Sequence, residues 1–284
     1  MSIDDLRQKY HRRICERILY LKTGNIPNFA DKHSRPSVAL AQKIVEQFQQ
    51  RGYPLQTKQP TGQTAGTTFE EVTRDFLEEA FKLLRHLRPG EWKFHVNDKI
   101  ERYEQYEHLA ILGKTLKEHK ELRAALGDYI IKPDIVISRE PVSDDEINQP
   151  GEIVSGKAGI SQLTPLRASN AENPKPILHA SISCKWTIRS DRSQNAPTER
   201  LNLIRNRKGH TPHIAIVTAE PYPQRIASLA LGTGDIDCVY HIALPELQNA
   251  AEAYNNEAVL DMLDTLIRGK RLRDISDLPF DLAT

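Results

Sequence analysis

The stretch from Ile177 to Glu199, ILHASISCKWTIRSDRSQNAPTE, limits what this 284-residue chain can be more than any other part of it. Its first half alternates: Leu178, Ala180, Ile182, Cys184 and Trp186 fall on one face of a strand, and His179, Ser181, Ser183, Lys185 and Thr187 on the other. The pattern predicts a half-buried strand with a lysine on its polar face. Arg189-Ser190-Asp191-Arg192 follows directly, two planar cationic forks around one carboxylate. Such forks suit phosphate or guanine, and the carboxylate suits an amino group. A candidate reactive lysine and candidate reading groups are therefore neighbours in sequence.

Charge supports a polyanionic partner only locally. The whole chain carries a formal net charge of +1, but Lys185 to Lys208 holds seven bases (Lys185, Arg189, Arg192, Arg200, Arg205, Arg207, Lys208) against two acids (Asp191, Glu199). A local excess of this kind is an electrostatic footprint for nucleic acid. Cys15, Cys184 and Cys238 are far apart and odd in number, which argues against a disulfide framework and against a cysteine-type zinc site. No apolar run approaches the ~18 residues of a membrane span. Met1-Ser2-Ile3-Asp4-Asp5 carries acids where a secretory signal carries bases, so a cytoplasmic location is expected.

Along the chain, Ser2 with Asp5 opens a helix that reads on to Lys22, its apolar stripe formed by Leu6, Tyr10, Ile14, Ile18 and Leu21. Val38 to Phe48 reads helical, Gly52 to Thr67 reads as a loop, and Thr68 to Leu87 is strongly amphipathic. A short strand at Trp92–Val96 and a mostly helical run from Ile100 to Ala125 precede Tyr129–Ser138, a strand interrupted by Pro133. That proline suits either an edge strand or the start of the paired segment. After Glu199, strands at His213–Ala219 and Asp237–Leu244 alternate with helices at Pro223–Leu231 and Pro245–Ile267, which predicts an α/β sheet with helices packed against it. We expect one domain over residues 1–284, with an N-terminal helical arm at about 1–60 and a polar excursion at about 140–176.

Two strands carrying Asp134 and Lys185 near the same end place a carboxylate beside an ammonium. Carboxylate oxygens suit Mg²⁺, and the lysine can orient or deprotonate the attacking water and stabilise charge on a phosphate. Pro133-Asp134 followed by Ser183-Cys184-Lys185 resembles the PD-(D/E)XK nuclease signature, with Ser183 standing where the second acid is expected. In the type II restriction endonucleases that cut sites with a CCGG core, that acid is moved downstream of the lysine. Glu199, after thirteen intervening residues, fits the spacing. The blocks GQTAGTTFE, HASISCKWTIRSDRSQN, LIRNRKG, IVTAEP, ALGTGDIDCVYH and GKRLRDISDLP, spread over residues 62–279, resemble the NgoMIV-type branch of this family.

The resemblance implies a mixed central sheet flanked by helices and a Mg²⁺-dependent endonuclease that uses two ions per active site. Asp134 would bridge the ions, the Cys184 backbone carbonyl would be a further ligand, and Lys185 would act on the water. Glu199 and Glu70 would complete the acidic cluster. Arg189, Asp191 and Arg192 correspond to the readers of CCGG, and an Arg-x-Asp-Arg set independently favours G·C pairs. Arg225 with Asp31, or with the neighbouring candidate Ser34, would read the outer pair, and Gln63 would reach the minor groove. An acid with an arginine favours an outer G·C pair and hence GCCGGC. The family cuts after the first base, leaves four-base 5′ overhangs and works as a tetramer of two dimers. The host would also need a cognate DNA methyltransferase.

Taken singly these residues have ordinary explanations. Lys185 reads as a solvated strand lysine, Arg189 to Arg192 as a surface ion-pair cluster, and Glu199 and Glu70 as acids in first helical turns. Trp186 reads as core. The competing functional classes are a nuclease without sequence specificity and a non-catalytic DNA-binding protein on the same fold. A thiol hydrolase using Cys184 with His179 is disfavoured because alternation puts the two on opposite faces.

Overall fold

The computed structural model describes residues 1–57, 59–119, 121, 132–155, 159–188, 196–231 and 234–284. Helix α1 spans Ile3–Arg17, and the Ser2–Asp5 capping box at its start is formed in both directions. It stops short of the predicted Lys22 because a small antiparallel hairpin takes over, β1 (Leu21–Lys22) with β2 (Ile26–Pro27). Gly24 and Asn25 turn it with positive φ, a conformation these two residue types accept most readily. Helix α2 (Arg35–Gln50) starts on an N-cap at Ser34, with a proline in its first turn. Helix α3 (Gly62–Leu83) begins six residues before the predicted Thr68, on the N-cap Thr61. Gly62 and Gly66 disguise that start as loop, but Ala65 and Phe69 are buried and their packing outweighs the ~1 kcal/mol each glycine costs a helix.

Strand β3 (Trp92–Val96) leads through 3₁₀ turns at Ile100–Arg102 and Glu104–Tyr106 to α4 (Leu109–Glu118), within the run expected to be mostly helical, of which residues 120 and 122–125 lie outside the described residues. Then come β4 (Ile135–Arg139), the short α5 (Asp144–Ile147), β5 (Ile177–Lys185) and α6 (Ala196–Asn206). These are followed by β6 (His213–Thr218), α7 (Pro223–Ala230) and β7 (Cys238–His241). The Pro245–Ile267 run is two helices, α8 (Leu244–Tyr254) and α9 (Glu257–Arg268). Asn255 ends the first in the left-handed region and Asn256 caps the second. Strand β8 (Leu272–Asp274) and α10 (Leu278–Asp281) close the fold.

The central sheet has six strands in the order β3-β4-β5-β6-β7-β8. The pairs β3–β4 and β4–β5 are antiparallel, and the three pairs from β5 to β8 are parallel, so the sheet is mixed, as expected. Strand β4 lies between two neighbours. Pro133 therefore marks the start of a paired segment and not an edge, since its missing N–H falls before the first ladder position.

Strand β5 departs from the predicted half-buried pattern. Ile177 through Ile182 are all buried, His179 and Ser181 included, because both faces of the sheet are covered at that level. The His179 ring packs edge-on against Trp92 and bonds the Leu282 carbonyl oxygen at 2.8 Å. Burial first, and the charge of Arg88 second, push its pKa down to about 3, so it is a neutral core group. The polar face opens only at Ser183 to Lys185. Helix α1 packs on α3, α2 on α8, α7 on α9 and α3 on β5, and apolar residues of α1 and α2 join the same buried cluster as the sheet. Among the described residues no helix is long and apolar enough to cross a membrane.

Candidate active site

The antiparallel register of β4 and β5 sets Ile135 opposite Ile182, so the residue entering β4 and the residues leaving β5 meet at one end of the sheet. There the Cys184 N–H donates to Asp134 Oδ2 at 2.7 Å, and Lys185 Nζ donates to the same oxygen at 3.3 Å. The carboxylate is thereby oriented by backbone and bound to the ammonium. Side-chain exposures of 30% for Lys185 and 22% for Asp134 leave the pair reachable from solvent. Ser183, in the position of the missing acid, is half-buried on the same face as Lys185 by alternation. Thr218, at the end of β6, donates its hydroxyl to the Lys185 carbonyl oxygen at 2.7 Å and so fixes the backbone of the lysine.

Glu70 comes to this end from α3. Its Oε2 accepts from Asn97 Nδ2 at 2.7 Å, and the Asn97 backbone N–H donates to the Asp134 carbonyl oxygen at 3.0 Å. Asn97 follows β3 with φ 56°, a left-handed position that asparagine tolerates. This bridge between Glu70 and Asp134 was not read from the sequence. The available signal was an Asn directly after a predicted strand. The α3 contact is completed by Trp186, whose ring lies edge-on to Phe69 at 5.2 Å and to Phe29 at 5.8 Å, in keeping with its reading as core.

Burial raises the pKa of Glu70, Asp134 adds to the rise, and the Asn97 bond and Lys185 oppose it. Glu199, in the first turn of α6, keeps an exposed side. Its pKa is also raised, by burial of the carboxyl first; Lys185 opposes the rise and Asp134 adds to it. Asp134 and Lys185 thus act on both outlying glutamates. Among the described residues no three His, Cys, Asp or Glu groups close on a single point. The acids form a spread set of hard oxygen donors around one ammonium, and burial is the main cause of the rise at Glu70 and Glu199. That donor chemistry fits a hard divalent cation which keeps several waters. Burial pushes the Cys184 thiol up, away from a nucleophilic thiolate.

The groups expected to read the outer pair are also brought together. Arg225, in the first turn of α7, pairs with Asp31, which precedes α2. Asp31 further accepts from the His33 N–H at 3.0 Å, the first cause of its lowered pKa, with Arg225 adding to it. Ser34 instead caps α2 by accepting from the Ser37 N–H at 3.4 Å. Of the two candidates, Asp31 faces Arg225. Gln63 is exposed in the first turn of α3, seven residues before Glu70 and hence on the same helix face. Arg189, Asp191 and Arg192 lie outside the described residues. The residue before them, Ile188, is buried.

The family model described as NgoMIV restriction enzyme matches residues 10–284. The type II restriction enzyme NgoMIV of Neisseria gonorrhoeae is 46% identical over 284 residues, covering 98% of this chain and 97% of that protein. Two solved structures were also found at 13% identity. The type IIF restriction endonuclease Bse634I with cognate DNA has a TM-score of 0.37 over 98% of this chain and 92% of that one. The restriction endonuclease PspGI in a substrate DNA complex has a TM-score of 0.30 over 99% and 92%.

Proposed function

Because this chain belongs to the NgoMIV family of type II restriction enzymes, we propose that it cleaves double-stranded DNA at GCCGGC, after the first G, leaving four-base 5′ overhangs. The observation that carries the reading is the Lys185–Asp134 contact at the open end of β5, with the Cys184 N–H on the same carboxylate oxygen. Asp134 and the Cys184 backbone carbonyl would hold Mg²⁺, with Glu70 and Glu199 supporting through water, and Ser183 leaves room where a closer acid would stand. A divalent cation bound there supplies Lewis acidity toward the attacking water and the scissile phosphate, and the family's habit is two ions per site.

The chain's own groups do the remaining work. Lys185, as the ammonium paired with Asp134, orients the water by donating to its oxygen, eases loss of the water's proton to solvent, and sets positive charge beside the phosphate oxygens. Asp134, oriented by the Cys184 N–H, keeps Lys185 in place. Arg189 and Arg192 pair with guanine O6 and N7 in the core, Asp191 accepts from cytosine N4, and Asp31 with Arg225 repeats that chemistry at the outer G·C pair. Gln63 projects from α3 toward the minor groove. A palindromic site calls for a two-fold symmetric protein, so the working unit is at least a dimer, with a tetramer of two dimers as the full assembly. Such an enzyme acts in the cytoplasm beside a methyltransferase that protects the host's own sites.

Digestion of a fully sequenced plasmid with and without EDTA, followed by sequencing of the ends, tests this reading. Mg²⁺-dependent cuts within GCCGGC with four-base 5′ overhangs are expected. Cuts at CCGG with other flanking bases would remove the outer-pair assignment, and a smear would remove sequence reading altogether.

A further inference from the structure

Glu220 is a fully buried acid, 0% exposed, just beyond β6, and neither the fold nor the proposed hydrolysis requires a carboxylate there. Burying a charge is costly unless it is hydrogen-bonded, so a buried carboxylate with well-placed donors calls for a reason. Both oxygens are engaged by backbone. Oε2 accepts from the Ile188 N–H at 3.0 Å and Oε1 from the Tyr222 N–H at 3.3 Å. Ile188 is the residue immediately before the Arg189-Ser190-Asp191-Arg192 run, and Tyr222 is the N-cap of α7, the helix that carries Arg225. One side chain thus grips the entrances to two segments that are 34 residues apart in sequence.

The same residue is tied to the lysine. Its own N–H donates to Thr218 Oγ1 at 3.1 Å, and that hydroxyl donates to the Lys185 carbonyl oxygen at 2.7 Å. The connected path runs from the Lys185 backbone through Thr218 to Glu220, and from there to both entrances. A glutamine of the same shape could not reproduce it: its amide offers one acceptor and one donor group, so one of the two backbone N–H groups would face another N–H. Leaving a buried donor unpaired displaces the chain it belongs to, and a shift of a fraction of an ångström is enough to degrade bidentate base contacts.

From this geometry we infer that Glu220 is a positioning residue which holds Ile188, the residue before the inner reading run, and Tyr222, at the start of the helix that carries Arg225, in fixed relation to each other and to Lys185, so that discrimination at both positions depends on it. The inference rests on the reading of Arg189 to Arg192 and Arg225 as base readers.

The test compares kcat/KM for wild type and Glu220→Gln on three duplexes: GCCGGC, an outer-pair variant ACCGGT, and an inner-pair variant GCGCGC. Wild type is expected to prefer GCCGGC over both by more than about tenfold, and over the inner-pair variant the more strongly. In Glu220→Gln both preference ratios are expected to fall by about tenfold or more, about 1.4 kcal/mol each. A purely structural role would lower all three rates in proportion and leave the ratios unchanged, and that result overturns the inference. A loss at one position alone also overturns it, since the two segments would then be set independently. Wild type that fails to discriminate would sink the reading of the site itself, an outcome separable from failure of Glu220. Should Glu220→Gln not fold, Glu220→Asp keeps the carboxyl group but is one methylene too short to span both N–H groups. The same two ratios then fall, and their constancy in a folded Glu220→Asp variant counts against the proposal.

Discussion

Lys185 and Asp134 are joined by an ion pair that is about one-quarter exposed on average, and exposed pairs of this kind contribute only ~0–1 kcal/mol to stability. The same ammonium, placed beside a transferring phosphate, is worth far more, because a group that stabilises charge developing in the transition state contributes about 10²–10³-fold in rate. Lys185→Ala should therefore melt within ~1 kcal/mol of wild type while cleavage falls by at least about 10²-fold and duplex binding persists. Melting curves, single-turnover cleavage and a gel shift check the three parts. Glu220 supplies a prediction of a different kind. Burial pushes its pKa up to about 7 from the ordinary 4.5, against the pull of the Ile188 N–H and Arg225. The folded protein then binds this proton more tightly than the unfolded chain, so the contribution of Glu220 is most favourable below about 4.5 and declines as pH rises toward 7. Above that the loss is constant, on the order of 3 kcal/mol. Urea unfolding of wild type and Glu220→Gln across this range should show a slope in the difference between them. A flat difference would mean that the carboxyl is not held in its neutral form.

At the level of elements, the end of β3 shows how local conformation serves the site. Asn97 takes a positive φ and also carries the bond to Glu70, two jobs that substitutions can separate. Asn97→Gly keeps the backbone and loses the bond, whereas Asn97→Ala loses both. The alanine variant should be about 1 kcal/mol less stable than the glycine variant, with cleavage reduced alike in the two, as read by melting and by initial rates. Asp134 and Lys185 could be found from the sequence because each is read against its own strand. Asn97, Thr218 and Glu220 could not, because each acts on a residue of another element that only the sheet order brings near. The same distinction explains the helices. The Ser2–Asp5 box was open to inspection, the Ser34 cap was missed because the helix reads only from Val38, the start of α3 was hidden by glycines that packing overrides, and the α8–α9 break was marked by Asn255-Asn256 inside an otherwise continuous apolar pattern. Buried His179 and Ser181 on β5 were misread as a solvent face, since alternation cannot tell an exposed polar side from one covered by another part of the chain.

For the molecule as a whole, Arg7 holds the N-terminal helix to the far side of the sheet. Its guanidinium bonds Glu246 of α8 at 2.6 Å and Asp274 of β8 at 2.8 Å, and Arg51 reaches the same Glu246 at 2.5 Å. Burial alone would raise both acids; the bonds to Arg7 overcome it, bringing Glu246 down to about 2 and lowering Asp274. Their contribution is present above the ordinary carboxylate range and is lost as pH falls from about 4.5 toward 2. Arg7→Met takes the guanidinium from buried Asp274 and leaves buried Glu246 with Arg51 alone, and should cost about 3–5 kcal/mol, with acid unfolding moved to higher pH. Circular dichroism during acid titration measures both effects. Light scattering of the purified protein should give a mass of at least two chains, as the proposed palindromic target demands. On the proposed reading of Asp31 and Arg225, their pairing has a consequence for the energetics of the outer base pair. Without DNA these two groups already satisfy each other, so a G·C pair outside CCGG offers them an exchange of partners and not a rescue from isolation. When the outer pair is wrong they simply rejoin. The penalty for error at that position is then capped by the difference between two good arrangements, and the outer base becomes a graded preference wrapped around a stricter core.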